Sequence, residues 1–177
     1  MDIVKKLRKN NTKAVTVQKL KEDNGFKHQD PGTKTGIFHA AILLSENDIL
    51  IELLEIIKKE YESNYLEILE LKDAQKRTCL MLAIQTENEA CLDALLEHNV
   101  DVNSVEKNFS ALQLAAKTNR VSIIRKLLKK GADLNYRNIH GGALTIAISD
   151  GNEETVEEFL EMPNLDLEIT DKDGNNY

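Results

Sequence analysis

The sequence predicts an all-α solenoid of stacked helix-turn-helix units, and three recurrences along its 177 residues carry that prediction. The first is a short apolar stretch centred on a small residue, which returns four times: Gly36-Ile37-Phe38-His39-Ala40-Ala41-Ile42, Thr78-Cys79-Leu80-Met81-Leu82-Ala83-Ile84, Ser110-Ala111-Leu112-Gln113-Leu114-Ala115-Ala116 and Gly142-Ala143-Leu144-Thr145-Ile146-Ala147-Ile148. The second is an apolar pair whose second member stands thirteen residues after each alanine: Leu53-Leu54, Leu95-Leu96, Leu127-Leu128 and Phe159-Leu160. The third is the turn chemistry of Asn99-Val100-Asp101-Val102-Asn103 and Gly131-Ala132-Asp133-Leu134-Asn135. There Asn or Gly closes a helix in the left-handed conformation, and Asp and Asn favour a turn.

The alternation of small and large residues gives the recurrence a physical meaning. Ala41, Ala83, Ala115 and Ala147 let the first helix of each pair approach its neighbours closely, while the leucine pair of the second helix fills the space between repeats. One unit alone would leave its apolar face wet, so stability has to come from nearest-neighbour contacts.

Taken in chain order, residues 1–35 lack the recurrence. Ile3, Val4 and Leu7, then Ala14, Val17 and Leu20, are spaced for one or two amphipathic helices stopped at Asn24-Gly25. They are expected to cap the exposed end of the first repeat; with nine Lys/Arg against four acids, a basic arm for an acidic partner or lipid is the alternative. The first repeat spans 36–75. Its alanine lies 42 residues before the next, whereas the later ones are 32 apart, and the excess falls near 58–69. Ile56, Ile57, Tyr61, Tyr65 and Ile68 stay apolar there among glutamates, which predicts an extended second helix or an additional short one. Further repeats are expected at 76–107, 108–139 and 140–173. Residues 174–177 read as the start of another, so the chain is expected to be the N-terminal fragment of a longer protein.

Composition narrows the function. With aromatics at 5% and no Trp, the core has to be built from Leu, Ile, Val and Ala. Two cysteines, Cys79 and Cys91, and a polar start after Met1 point to a reducing compartment, cytoplasmic or nuclear. The apolar run at 49–57 is broken by Glu52 and Glu55 and falls short of the roughly 18–20 residues of a membrane span, so no direct membrane insertion is expected. The net charge of −7 is banded. Residues 36–107 carry six basic groups against fifteen acids, 108–140 carry seven against Asp133 alone, and 141–177 carry Lys172 against ten acids. Basic residues flanked by acidic units make a poor nucleic-acid groove, and no nucleic-acid partner is expected. The basic helix at 121–130 and the acidic one at 153–161 occupy equivalent places, so Arg125 and Lys129 are expected to pair with Glu157, Glu158 or Glu161.

Chemical sites are not expected. His28, His39, His98 and His140 have no metal-ligand spacing, and the cysteines form no C-x2-C pair. No phosphate loop, nucleophile elbow or zinc-protease motif occurs, and Glu153-Glu154 and Glu157-Glu158 suit a solvated helix face. The reading is a non-enzyme with no catalytic residues, no cofactor and no metal.

With these residues the units resemble ankyrin repeats, whose signature runs Thr-Pro-Leu-His-x-Ala, then Leu-Leu, then Gly-Ala-Asp-x-Asn. The segment from Gly131 to Asn135 and the segment from Asp101 to Asn103 match the end of that signature. Its beginning is degenerate: Thr78 keeps the threonine, His39 keeps the histidine, no copy keeps the proline, and Ser110 and Gly142 stand where threonine is expected. Loss of side-chain hydrogen bonds there is expected to loosen these repeats. The resemblance, placed over 36–177, implies an ankyrin-repeat solenoid with turn or β-hairpin tips. His39 would bond the backbone of the next repeat.

The function the resemblance implies is a scaffold that binds a partner protein or peptide through a concave groove. The alternative is a regulatory N-terminal arm of a larger enzyme, channel or effector whose active part lies beyond residue 177. Groove positions map to Lys34, Thr35, Ile37, Lys76, Arg77, Cys79, Asn108, Phe109, Ala111, His140, Gly141 and Ala143, with Glu87, Asn88, Asn119, Arg120 and Asn152 at first-helix ends. The candidates to carry binding are Lys76, Arg77, Asn88, Asn108, Phe109, Asn119, Arg120 and His140. Phe109 either packs against a neighbouring tip or anchors a partner between Arg77 and Arg120. In the second case Phe109→Ala with Arg77→Ala abolishes binding and leaves thermal unfolding nearly unchanged. Asn103 and Asn135 resemble hydroxylated ankyrin asparagines, against a plain turn-stabilising role. Self-association through the unfinished C-terminal repeat is a further expectation.

Overall fold

The computed structural model describes residues 25–62, 64–106 and 109–167, with the backbone alone for Glu106. Most of the expected cap, 1–24, and the expected start of a further repeat, 174–177, lie outside the described residues. Packing divides the chain between Val100 and Asp101 into two compact units.

The first unit holds α1 (Ile37–Leu43), α2 (Asn47–Glu60), α3 (Tyr65–Leu69), α4 (Cys79–Gln85) and α5 (Glu89–Glu97). Helix α1 packs on α2 and α4, and α5 packs on α2 and α4, so two helix pairs lie side by side. Ala41 and Ala83 are wholly buried, and Leu53, Leu54, Leu95 and Leu96 fill the core around them. The residues in excess between the first two alanines build α2, fourteen residues long, and the short α3, which buries Ile68 and Leu69. Asp48 in the first turn of α2 and Lys58 and Lys59 in its last complement the helix dipole. Phe26 closes this end of the core, edge-on to Tyr61 at 5.8 Å and tilted against Phe38 at 6.3 Å.

The second unit opens with a two-stranded antiparallel ribbon, β1 (Val105–Glu106) and β2 (Phe109–Ser110), and continues with α6 (Ala111–Lys117), α7 (Val121–Lys129), α8 (Ala143–Ser149) and α9 (Glu153–Leu160). Helix α6 packs on α7 and α8, and α9 packs on α8 and α7. Ala115, Ala147, Leu127 and Phe159 are buried, whereas Leu128 is half-buried and Leu160 is exposed.

All four first helices end alike. The carbonyls of Ala41, Ala83, Ala115 and Ala147 accept from the amides of Glu46, Asn88, Arg120 and Asn152 at 2.9, 3.0, 3.4 and 2.9 Å. Between them a left-handed residue turns the chain: Ser45, Glu87, Asn119 and Gly151, with φ of 55°, 54°, 54° and 70°. The second helices α5 and α7 close through Asn99 and Gly131, also left-handed, a conformation that both residue types tolerate.

The starts of the first helices correct one expectation. Thr78 caps α4 by accepting from the Met81 amide at 3.3 Å, but Ser110 keeps the cap as well, accepting from Gln113 N while Gln113 Oε1 accepts from Ser110 N. Only Gly36 and Gly142, among these four, lack a side-chain cap. Gln113 is fully buried and does more. It stands at the helix position that His39 holds in α1, and its Nε2 donates to Gly141 O at 2.6 Å while Oε1 also accepts from Asn138 Nδ2 at 3.0 Å. Gly141 is left-handed at φ 85°, and a Cβ there would lie 2.8 Å from Thr145.

A second ladder joins the turns. Asn103 Nδ2 donates to Gly131 O at 3.0 Å and its Oδ1 accepts from Asp133 N at 2.8 Å. Asn135 repeats this with Asn164 O and Asp166 N, both at 2.9 Å. Both side chains therefore stabilise turns. Arg125 donates twice to Glu158, at 2.8 and 2.6 Å, which is one of the pairings expected between equivalent helices.

Replacing Gln113 by Leu strands the buried Ser110 amide and leaves the Gly141 carbonyl with only the Asn138 amide, at 3.3 Å. Urea unfolding of that variant is expected to show a loss of about 1–3 kcal/mol.

Candidate functional site

In the first unit the tip residue Lys76 is exposed and left-handed, at φ 67°. Arg77 beside it faces inward. Its Nη2 and Nε lie 2.6 and 2.8 Å from Oδ2 of the buried Asp73, and Nη1 donates to Gln85 Oε1 at 3.1 Å. Asp73 Oδ1 accepts from the amides of Gln75 and Arg77. Burial pushes the Asp73 carboxyl up, but the hydrogen bonds and charge of Arg77, with the Gln75 amide, outweigh it and hold the group below its ordinary range. Arg77 is thus a strut of the tip. Arg77→Ala would leave a buried carboxylate without its cation, so the expectation that this substitution spares stability does not hold.

Asn88 is likewise committed: Oδ1 caps α5 by accepting from Cys91 N at 3.2 Å, and Nδ2 donates to Asn47 Oδ1 at 2.8 Å. Ile37, Cys79, Ala111 and Ala143, mapped to the groove from sequence, are all buried. The first residue of each short helix turns into the core. His39 is buried with Nε2 3.1 Å from Arg77 O, so this nitrogen carries the proton, and Nδ1 faces Cys79 Sγ at 3.8 Å. Burial pushes the Cys79 thiol far up and the Cys91 thiol up to about 11, so neither is a thiolate at neutral pH.

What the first unit does expose was not expected. Leu43 is 49% exposed and Leu44 37%, at the last position of α1 and its cap. The equivalent positions after α4, α6 and α8 carry Gln85-Thr86, Lys117-Thr118 and Ser149-Asp150. An apolar pair where the other copies are polar was the available signal.

In the second unit Phe109 is half-buried on β2, and its ring stacks on His140 at 4.9 Å and 3° between planes. Packing against a neighbouring tip is therefore its structural role. Lys117 Nζ stands 5.4 Å from the same ring centroid, within cation–π range. Asn119 is left-handed, and its Oδ1 accepts from Thr155 Oγ1 at 2.7 Å. Arg120 is exposed at the start of α7. Asn108 lies outside the described residues. Among the described residues, no three His, Cys, Asp or Glu side chains gather as a metal site would require, and no helix is long and apolar enough to cross a membrane.

The family model for ankyrin repeats (3 copies) matches residues 2–105 and 52–138, more than half of the sequence. The chain belongs to the ankyrin-repeat family. The ankyrin match begins well before residue 36, where the resemblance was placed, and ends within the third repeat. The helix pair α8–α9 beyond it repeats the same ankyrin geometry, down to the carbonyl of Ala147. Ankyrin repeats are protein–protein interaction modules. No curated protein matches the chain.

Two buried histidines give these ankyrin repeats a pH dependence. Burial pushes His39 below its usual 6.5. It does the same to His98, helped by Lys58, and His98 Nδ1 has no hydrogen-bond partner. Below 6.5 the unfolded chain takes up protons that the folded one refuses, so this contribution to stability is full above that pH and lost as pH falls towards the folded values. The thermal midpoint is expected to drop from pH 7 to pH 5, and His98→Gln to reduce that drop.

Proposed function

We propose that the chain is a binding scaffold that holds a segment of a partner protein against the tips and first-helix ends of its repeats. The observation that carries this reading is the division of labour among side chains. Core, caps and turn ladders satisfy one another internally, yet Leu43, Leu44, Lys76, Lys117, Arg120 and His140 stand exposed at those tips and ends. Exposed leucines and cations at repeated positions suit recognition better than structure. Phe109, Arg77, Asn88 and Asn119 act in this reading as supports for the surface. Both cysteines are free and buried, which supports a reducing compartment such as the cytoplasm.

A second reading, self-association, is favoured by Ile148, Leu160 and Leu167, all exposed in the last described repeat. Sedimentation of the full chain at increasing concentration decides it: a rising mass supports copy-to-copy contact, and a constant monomer mass excludes it.

The scaffold reading is tested by affinity capture from a native cell extract with the wild-type chain and with Leu43→Asp/Leu44→Asp. The expected outcome is a defined set of proteins lost from the variant, whose thermal midpoint stays within a few degrees of wild type. An identical captured set would count against the tips and helix ends as the binding surface.

A further inference from the structure

Resting on the scaffold reading, we infer that the second unit recognises an acidic segment of its partner, with Lys117 as the cation that selects it. Three groups converge there, one from β2, one from the tip after it in the chain and one from the end of α6. Phe109 supplies a half-buried ring, His140 lies flat on it, and the Lys117 ammonium is held over the same ring. The ring contact positions the lysine without neutralising it, since a cation over an aromatic face keeps its charge. Two other cations of the band are matched internally, Arg125 by Glu158 through two hydrogen bonds and Arg137 by Asp166 at 3.1 Å.

Two acids of the turns in the same unit are engaged within their own loops. Asp133 is turned into its own loop, accepting from the Asn135 amide at 3.0 Å, and Asp101 does the same for Asn103 at 2.9 Å. The exposed acid at a first-helix end is Asp150, after α8, where α6 has Thr118. The cationic end of the face therefore belongs to α6, and a bound segment places its carboxylates there. A long polyanion such as a nucleic acid fits less well. It would also meet the exposed Glu153, Glu154 and Glu157 of α9 and a chain of net charge −7.

The test is selection of a random dodecapeptide display library on the full chain, followed by binding of synthetic versions to wild type, Lys117→Glu, Lys117→Arg and Phe109→Ala. The selected peptides are expected to be rich in Asp and Glu. Their affinity should fall at least about tenfold in Lys117→Glu, recover in Lys117→Arg and weaken as salt is raised. Thermal midpoints of the exposed-lysine variants should match wild type. Enrichment of neutral or basic peptides, or affinity indifferent to Lys117→Glu, overturns the inference while leaving the scaffold reading intact. Tighter binding of a single-stranded oligonucleotide than of any acidic peptide also overturns it. A library that yields no binder counts against both.

Discussion

Ala41, Ala83, Ala115 and Ala147 sit at the places where one helix pair has to meet the next, and each has no accessible surface. A methyl group is what fits there: it lets α1 lie against α4, and α6 against α8, at a separation that a longer side chain would not allow. The same four residues also fix the exit from each first helix, since their carbonyls accept the amide five residues on. Packing and chain reversal thus depend on one position in every repeat. The leucine and phenylalanine pairs, the αL turn residues and the caps follow from having the helices brought to this distance.

Around that contact the repeats are joined by polar rungs whose chemistry varies while their geometry repeats. His39 reaches a tip carbonyl from α1, and Gln113 reaches one from the same position of α6. Asn103 and Asn135 tie successive turns through matching donor and acceptor pairs. Because these rungs are made between the repeats themselves, the framework places few demands on the outer ends of the first helices. At those ends the residue type changes from copy to copy, from Leu43 to Gln85, Lys117 and Ser149. A surface that can vary without disturbing the core is what a family of binding modules needs.

Much of the fold was legible because covalent spacing transmits it. Alanine and leucine pairs in step imply helix pairs in step, and equivalent helices set Arg125 and Lys129 against Glu157, Glu158 or Glu161, of which the structure forms Arg125–Glu158. The degree of exposure at the tips was less legible. Arg77 reads as a free cation until Asp73, four residues before it, is seen to be buried in the same turn. Asn88 reads as a polar helix end until its cap to Cys91 is seen, and Gln113 does not resemble the histidine whose place it takes. The exposure of Leu43 and Leu44 depends on where α1 stops and the chain turns at Ser45, a boundary that apolar spacing does not fix to the residue. Phe109 illustrates the opposite case: a large apolar residue in a turn was visible, but whether its neighbour was a tip or a partner was not.

The most direct test of this account is chemical denaturation of Ala41→Leu, Ala83→Leu, Ala115→Leu and Ala147→Leu, one at a time. If close approach at these methyl groups governs the structure, each variant loses about 1–3 kcal/mol, even though it adds apolar surface to the core. Variants as stable as wild type, or more stable, would contradict it.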